Sequence, residues 1–345
     1  MIIHSILLQF LLVGFGLLLS PSPGFGQINE PRAFEFLNLS PSARVSALGG
    51  INNSSAYDSL YLADINMFTT NPSLLRQQAH NQVAINYSPY LADINYASVA
   101  YAREMENTGM FAIGIQYLDY GESDSFDPAG ASLGTFSSSD YAVTLGYSRQ
   151  QNNFRVGVNM KVASSSLAGY TASALVGDVG VSYIDPTKDL VVSFTFTNFG
   201  WVMADYSPSS RSELPADVRV GVSFKPKYMP FRFSITAHRL LNGTRAYFPE
   251  PGDPETGAGE KILRHVVLGG EIMLGKNLSI LLGYNHLVSS ALKLQQISGG
   301  AGLSFGLSLR LRTVSIHFGR GIYHVGGGFS QFTASVNLNQ LIGRR

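Results

Sequence analysis

Ser290 and Lys293 have S-x-x-K spacing, in which a lysine beside a serine hydroxyl activates it for acyl transfer. That chemistry needs a helix to hold both side chains on one face and a K-T-G motif to complete the site. Residues 288–296 read as a loop, and no K-T-G occurs. His265 and Glu271 share one face of a strand, but their spacing separates them by about 20 Å at ~3.3 Å per residue, too far to act on one substrate. The seven histidines show no metal-ligand spacing, and H-E-x-x-H, Walker and G-x-S-x-G patterns are all missing. With no cysteine, thiolate nucleophiles, thiolate metal sites and disulfides are excluded. Residues 243–261 carry Glu250, Asp253, Glu255 and Glu260 among prolines, without the order of a calcium loop, and read as a solvated acidic loop. The expectation is a non-enzymatic protein with no catalytic, cofactor or metal residues.

The elements that would position any site have a period of two. In residues 154–162, Phe154, Val156, Val158, Met160 and Val162 occupy one face and Arg155, Gly157, Asn159 and Lys161 the other. The same alternation recurs in residues 190–196, 218–225, 278–284 and 331–338. Short turns near 104–108, 150–153, 185–188, 226–230, 275–277 and 309–311 alternate with longer connections at 121–137, 166–172, 201–214, 243–261, 288–296 and 321–328. Tight turns at one end and longer loops at the other are the habit of outer-membrane barrels. The spacing predicts an all-β chain, a transmembrane antiparallel β-barrel of about 14 strands. Aromatic residues near strand ends, among them Tyr87, Tyr96, Tyr117, Tyr141, Tyr147, Tyr183 and Phe318, are candidates for interfacial girdles. Arg155, Lys161, Asp178, Arg219, His238, His265 and Glu271 would point into the lumen and serve packing and ion pairing.

Composition agrees with a membrane setting. Only 14% of the 345 residues are charged, against roughly 25% in soluble domains, and the net charge of +1 gives no reason to expect a nucleic-acid partner. An apolar run at 6–19, followed by Gly24-Phe25-Gly26, reads as an export signal over residues 1–26. At about 14 residues the run is shorter than the roughly 20 a membrane helix needs. The expected organisation is signal peptide 1–26, an N-terminal hatch or plug at 27–80 and an outer-membrane β-barrel at 81–345.

The plug segment contains "SARVSALGG" at 42–50 and "NPSLL" at 71–75. Gly49 and Gly50 tolerate positive φ, Pro72 holds Asn71 extended, and Ala43, Ala47 and Leu48 suit a protein-lined lumen. This pair of motifs, with "LPADVRVGVSFKP" at 214–226, "AHRL" at 237–240, "VVLGGEIMLGKNLSILLGY" at 266–284 and the closing "HFGRGIYHVGGGFSQFTASVNL" at 317–338, resembles the PorV/FadL-like outer-membrane barrels. The resemblance covers nearly the whole mature chain. It implies a fourteen-strand barrel with a lumenal hatch built on Ser42, Arg44, Gly49, Gly50, Asn71 and Pro72. It further implies integral placement in the bacterial outer membrane and a place in the type IX secretion attachment complex. There the chain would work with PorV and the sortase-like PorU and anchor a surface-exposed protein of the PorZ type, while the complex removes a cargo signal and attaches cargo to lipopolysaccharide. Trp201, Tyr206, Tyr247 and Phe248, rigid aromatics in two of the longer connections, are candidate partner-binding residues. The alternative is a FadL-type channel for uptake of a hydrophobic small molecule, which would require an apolar pocket and a movable hatch. A soluble β-sandwich enzyme would need charged outer faces that the sequence lacks.

Overall fold

The computed structural model describes residues 33–55, 63–90, 94–127, 129–241, 257–291, 300–324 and 327–341. The expected export signal at 1–26, Tyr247, Phe248 and Lys293 lie outside them. The described residues form fourteen strands: β1 Gln82–Pro89, β2 Asn95–Met105, β3 Gly109–Phe126, β4 Ser132–Gln151, β5 Phe154–Leu167, β6 Tyr170–Asp185, β7 Leu190–Ala204, β8 Asp217–Phe224, β9 Phe231–Ala237, β10 Val266–Leu274, β11 Leu278–Asn285, β12 Leu303–Arg310, β13 Val314–His324 and β14 Gly327–Asn337. Each pairs antiparallel with its sequence neighbours, and β14 returns to β1 in the register Gln82↔Asn337 to close the barrel. Closure gives every described strand a neighbour on each side, which is what a barrel surrounded by lipid requires.

The alternation has the phase of a transmembrane barrel. Along β5, Val156, Val158, Met160 and Val162 are exposed while Arg155, Asn159 and Lys161 are buried. Ile85, Ile113, Ile115, Phe194, Phe233, Ile235, Leu282 and Leu307 continue the exposed apolar band around the sheet. Opposite them, the inner face is Ser, Thr, Asn and charge, including Thr144, Ser182, Thr195, Ser234, Ser308 and Thr333, all buried. Tyr96 departs from the expected girdle: it shares the inward phase of Ala100 and Ala102, is buried, and its hydroxyl accepts from Gln116 Nε2 at 3.0 Å.

Strand height is uneven. β3 to β7 run 14 to 20 residues, whereas β8 to β12 run 7 to 9. Several expected loops are therefore strand. Residues 121–137 form the end of the β3–β4 hairpin, 166–172 contain a turn of only Ala168 and Gly169, Trp201 belongs to β7, and 321–328 belong largely to β13 and β14. Two short helices, α2 Ala258–Leu263 and α3 His286–Ala291, sit on the low rim among the longer connections.

Ahead of β1, the chain fills the lumen with helix α1 Ala43–Ala47 and short 3-10 turns at Glu35–Asn38, Ile65–Thr69, Pro72–Leu74 and Gln77–Ala79. No such piece could hold its shape alone in water, since a helix this short is below the length that propagation stabilises. Packing supplies the stability. Near the mouth, Phe34, Phe36 and Leu37 pack with Tyr96, Leu118 and Val176. Deeper in the lumen, Ile65, Phe68, Leu75 and Ala79 pack with Ala84 and Met110.

Candidate functional site: the lumenal plug and its wall

Ser42 starts α1 as its N-cap, accepting from Val45 N at 3.4 Å and donating to Asp64 Oδ2 at 2.8 Å. This ties the two halves of the plug together. One residue on, Arg44 is fully buried; its Nη2 donates to Ser55 Oγ at 2.7 Å and to Glu271 Oε2 at 3.0 Å. Glu271 also accepts from Arg310 Nη2 at 2.8 Å and lies 3.5 Å from Arg232 Nη1. Arg232 in turn reaches Asp189 at 3.3 Å. Three guanidinium groups from the plug, β9 and β12 thus share one carboxylate from β10, with a second carboxylate behind Arg232. Taking such charges out of water costs several kcal/mol per ion, and only close, multiply hydrogen-bonded pairing offsets it. The arrangement therefore holds the plug at one registration against the wall.

The second motif is held with equal detail. Asn71 Nδ2 donates to Asn53 O at 2.8 Å, and its Oδ1 accepts from Ser73 N at 3.0 Å. Ser73 Oγ meets Ser182 Oγ of β6 at 2.5 Å. Pro72 passes so close to the wall that a Cβ on Gly157 would collide with its backbone, and one on Gly319 would collide with the carbonyl of Ala43. At both places glycine lets plug backbone lie directly on strand backbone. Gly49 and Gly50 turn the chain out of α1 with φ of 98° and 83°.

The polar seal continues toward the mouth. Lys161 Nζ lies 2.8 Å from Asp178 Oδ2 and donates to Asn198 Oδ1 at 3.0 Å. Arg219 pairs with Asp217 at 2.7 Å and donates from Nη2 to Asn38 Oδ1 of the plug at 2.9 Å. On the low rim, Glu260 accepts from His286 Nε2 at 2.9 Å and from Arg264 Nε at 3.2 Å. The His286 bond, then Arg264, holds the Glu260 carboxyl below its ordinary range.

Ser42, Arg44, Gly49, Gly50, Asn71 and Pro72 all lie in this one interface between plug and wall. Of the lumenal charges expected, Arg155, Lys161, Asp178, Arg219, His238 and Glu271 are buried, and His265 is half-buried just before β10. Of the candidate partner-binding aromatics, Trp201 and Tyr206 lie among the described residues. Trp201 projects from β7 with 74% exposure, whereas Tyr206 turns inward and bonds Ser165 Oγ at 2.5 Å. Ser290 sits in α3, a helix where a loop was expected. Sequence reasoning missed Asp64, Ser55, Arg232 and Arg310. The retrievable signal was parity: Arg232 alternates with the exposed Phe231 and Phe233 and must face inward.

No protein-family model and no curated protein matches the chain. Among solved structures, the deltaS2 mutant of the TodX monoaromatic hydrocarbon channel is similar over 87% of this chain and 98% of its own, with a TM-score of 0.51 and 12% identity. The deltaS2S3 mutant of TodX covers 86% and 97%, with a TM-score of 0.50 and 12% identity. The fold is that of the TodX barrels. At this identity the likeness is one of fold, and it extends over nearly the full length of both chains. A FadL homologue from Pseudomonas aeruginosa covers 86% and 98% at 9% identity, with a TM-score of 0.46.

Proposed function

We propose that the chain is a plugged, non-enzymatic barrel, integral to the bacterial outer membrane, that anchors a surface-exposed partner. The observation that carries this reading is the lumen itself. The described plug residues, among them Phe34, Phe36, Ile65, Phe68, Leu75 and Ala79, occupy it, and Arg44, buried on Glu271, fixes them to three strands of the wall. Such an interior favours a rigid membrane mount over a conduit. The sequence resembles PorQ of the type IX secretion system, and that resemblance implies the partner's class: a PorZ-type surface protein, in a larger complex with PorU and PorV, with outer-membrane lipid around the barrel. The comparisons carry nothing of type IX secretion.

A second reading, uptake of a hydrophobic small molecule, has two observations in its favour. The TodX structures are of hydrocarbon channels. A small recess between the plug and the wall, lined by Gly49, Val288, Leu303, Ile322 and Phe329, is largely apolar.

Affinity purification of the tagged chain from outer membranes in mild detergent separates the two. The anchor reading expects a stoichiometric surface protein together with PorU- and PorV-type components. A barrel recovered alone, carrying bound hydrocarbon or fatty acid and raising its uptake into liposomes, would overturn it in favour of the channel.

A further inference from the structure

The β3–β4 hairpin outgrows both of its neighbours. β2 pairs with β3 no further than Asn95↔Asp119, and β5 pairs with β4 no further than Leu167↔Ser138. Beyond those points the two strands pair only with each other, from Glu122↔Ser137 to Phe126↔Ser132. The result is a two-stranded arm over residues 120–137 that rises about 20 Å above the adjoining wall at ~3.3 Å per residue. Its base is fixed by Tyr120 Oη donating to Asp140 Oδ2 at 2.7 Å, and its tip by Ala129 N and Ala131 N donating to Asp127 Oδ1 at 2.9 and 2.8 Å.

Among the described residues, no strand pairs with either outer edge of the arm. Phe126 is 59% exposed and Leu133 67%, while Glu122 and Asp124 are exposed on the β3 edge. On the β2 side, Tyr90 N bonds Ile94 O at 2.8 Å, and both side chains pack onto the inner apolar cluster, away from that edge. On the other side, the β5–β6 turn ends below the arm at Ala168 and Gly169. A free edge presents unpaired N–H and C=O groups that template a further strand, and an isolated two-stranded ribbon is marginal in water. Residues 119–140 contain Asp119, Glu122, Asp124, Asp127 and Asp140 and no lysine, arginine or histidine. That charge disfavours both a phosphate-bearing lipid surface and a second copy of the same arm.

We propose that the β3 edge of this arm is where the surface partner docks, by adding an extended strand that carries lysine or arginine beside apolar side chains. The inference rests on the anchor reading. The free backbone of residues 122–126 supplies a hydrogen-bonding ladder, Glu122 and Asp124 select the charge of the incoming strand, and Phe126 and Leu133 supply apolar contacts at the tip.

The test uses the full chain in its native outer membrane, with a photo-crosslinking amino acid at Ser123 or Ser125 and, as a control in an opposite turn, at Tyr228. The expected result is an adduct from the Ser123 and Ser125 positions to one surface protein, mapping to a strand bearing Lys or Arg. Glu122→Lys with Asp124→Lys should cut its yield at least tenfold while the heat-modifiable barrel stays folded. Adducts confined to lipid or to a second copy, or a yield unmoved by the charge reversal, would overturn the proposal. If the surface protein still co-purifies when residues 121–137 are replaced by a two-residue turn, the anchor reading stands and the arm is not its site. If the unaltered chain recovers no surface protein, both fall.

Discussion

Glu271 is buried against three guanidinium groups, and replacing it tests how the plug is held. Glu271→Gln keeps the shape and removes the charge, leaving Arg44 and Arg310 buried without that counter-ion. Breaking one side of a buried pair costs about 3–5 kcal/mol. The expected outcome is amide exchange across residues 43–48 faster by roughly a hundredfold or more, with strand amides little changed. Gly319→Val tests the wall from the other side. Its side chain would displace the Ala43 carbonyl, at about 1–3 kcal/mol for overpacking, and should expose plug residues to added protease while β13 stays paired. A plug that keeps its protection in both variants would refute this account of its anchoring.

Among the elements, α2 and α3 are joined on the rim by Glu260 and His286, and this contact carries a pH dependence. The folded Glu260 carboxyl lies below its unfolded range, so its contribution is present above the unfolded value and is lost as pH falls through the folded one. Acidification below the ordinary carboxylate range should loosen α2, read as faster exchange at Ala258–Leu263. Glu260→Gln should remove that pH dependence. The strands were legible in the sequence because one face is an exposed apolar band and the other packs on the plug, which imposes the alternation seen in β5 and β11. The β3–β4 arm was misread as a loop for the opposite reason: water lies on both faces, so Gly121, Ser123, Ser125 and Ser137 are as acceptable as apolar residues and no period survives. Residue type alone points Tyr96 outward, but its parity with Ala100 and Ala102 places it inside. The plug motifs could be located, yet Arg44 meeting Glu271 is a contact across 227 residues that no local pattern encodes.

For the whole molecule, a filled lumen predicts an electrically silent barrel. Reconstituted into planar bilayers, the intact chain should give no conductance steps, and a chain lacking residues 40–79 should give steady ones. Steps from the intact chain would argue for a path past the plug and for the uptake reading. The plug's bonds also impose an order of events during biogenesis. Its residues are made first, but Ala43 N bonds Thr333 of β14 and Arg44 bonds Glu271 of β10, contacts separated by 290 and 227 positions. The earliest part of the plug therefore waits on the last strands of the wall, and it can be secured only as the cylinder shuts around it. Any intermediate stalled before β14 arrives would leak.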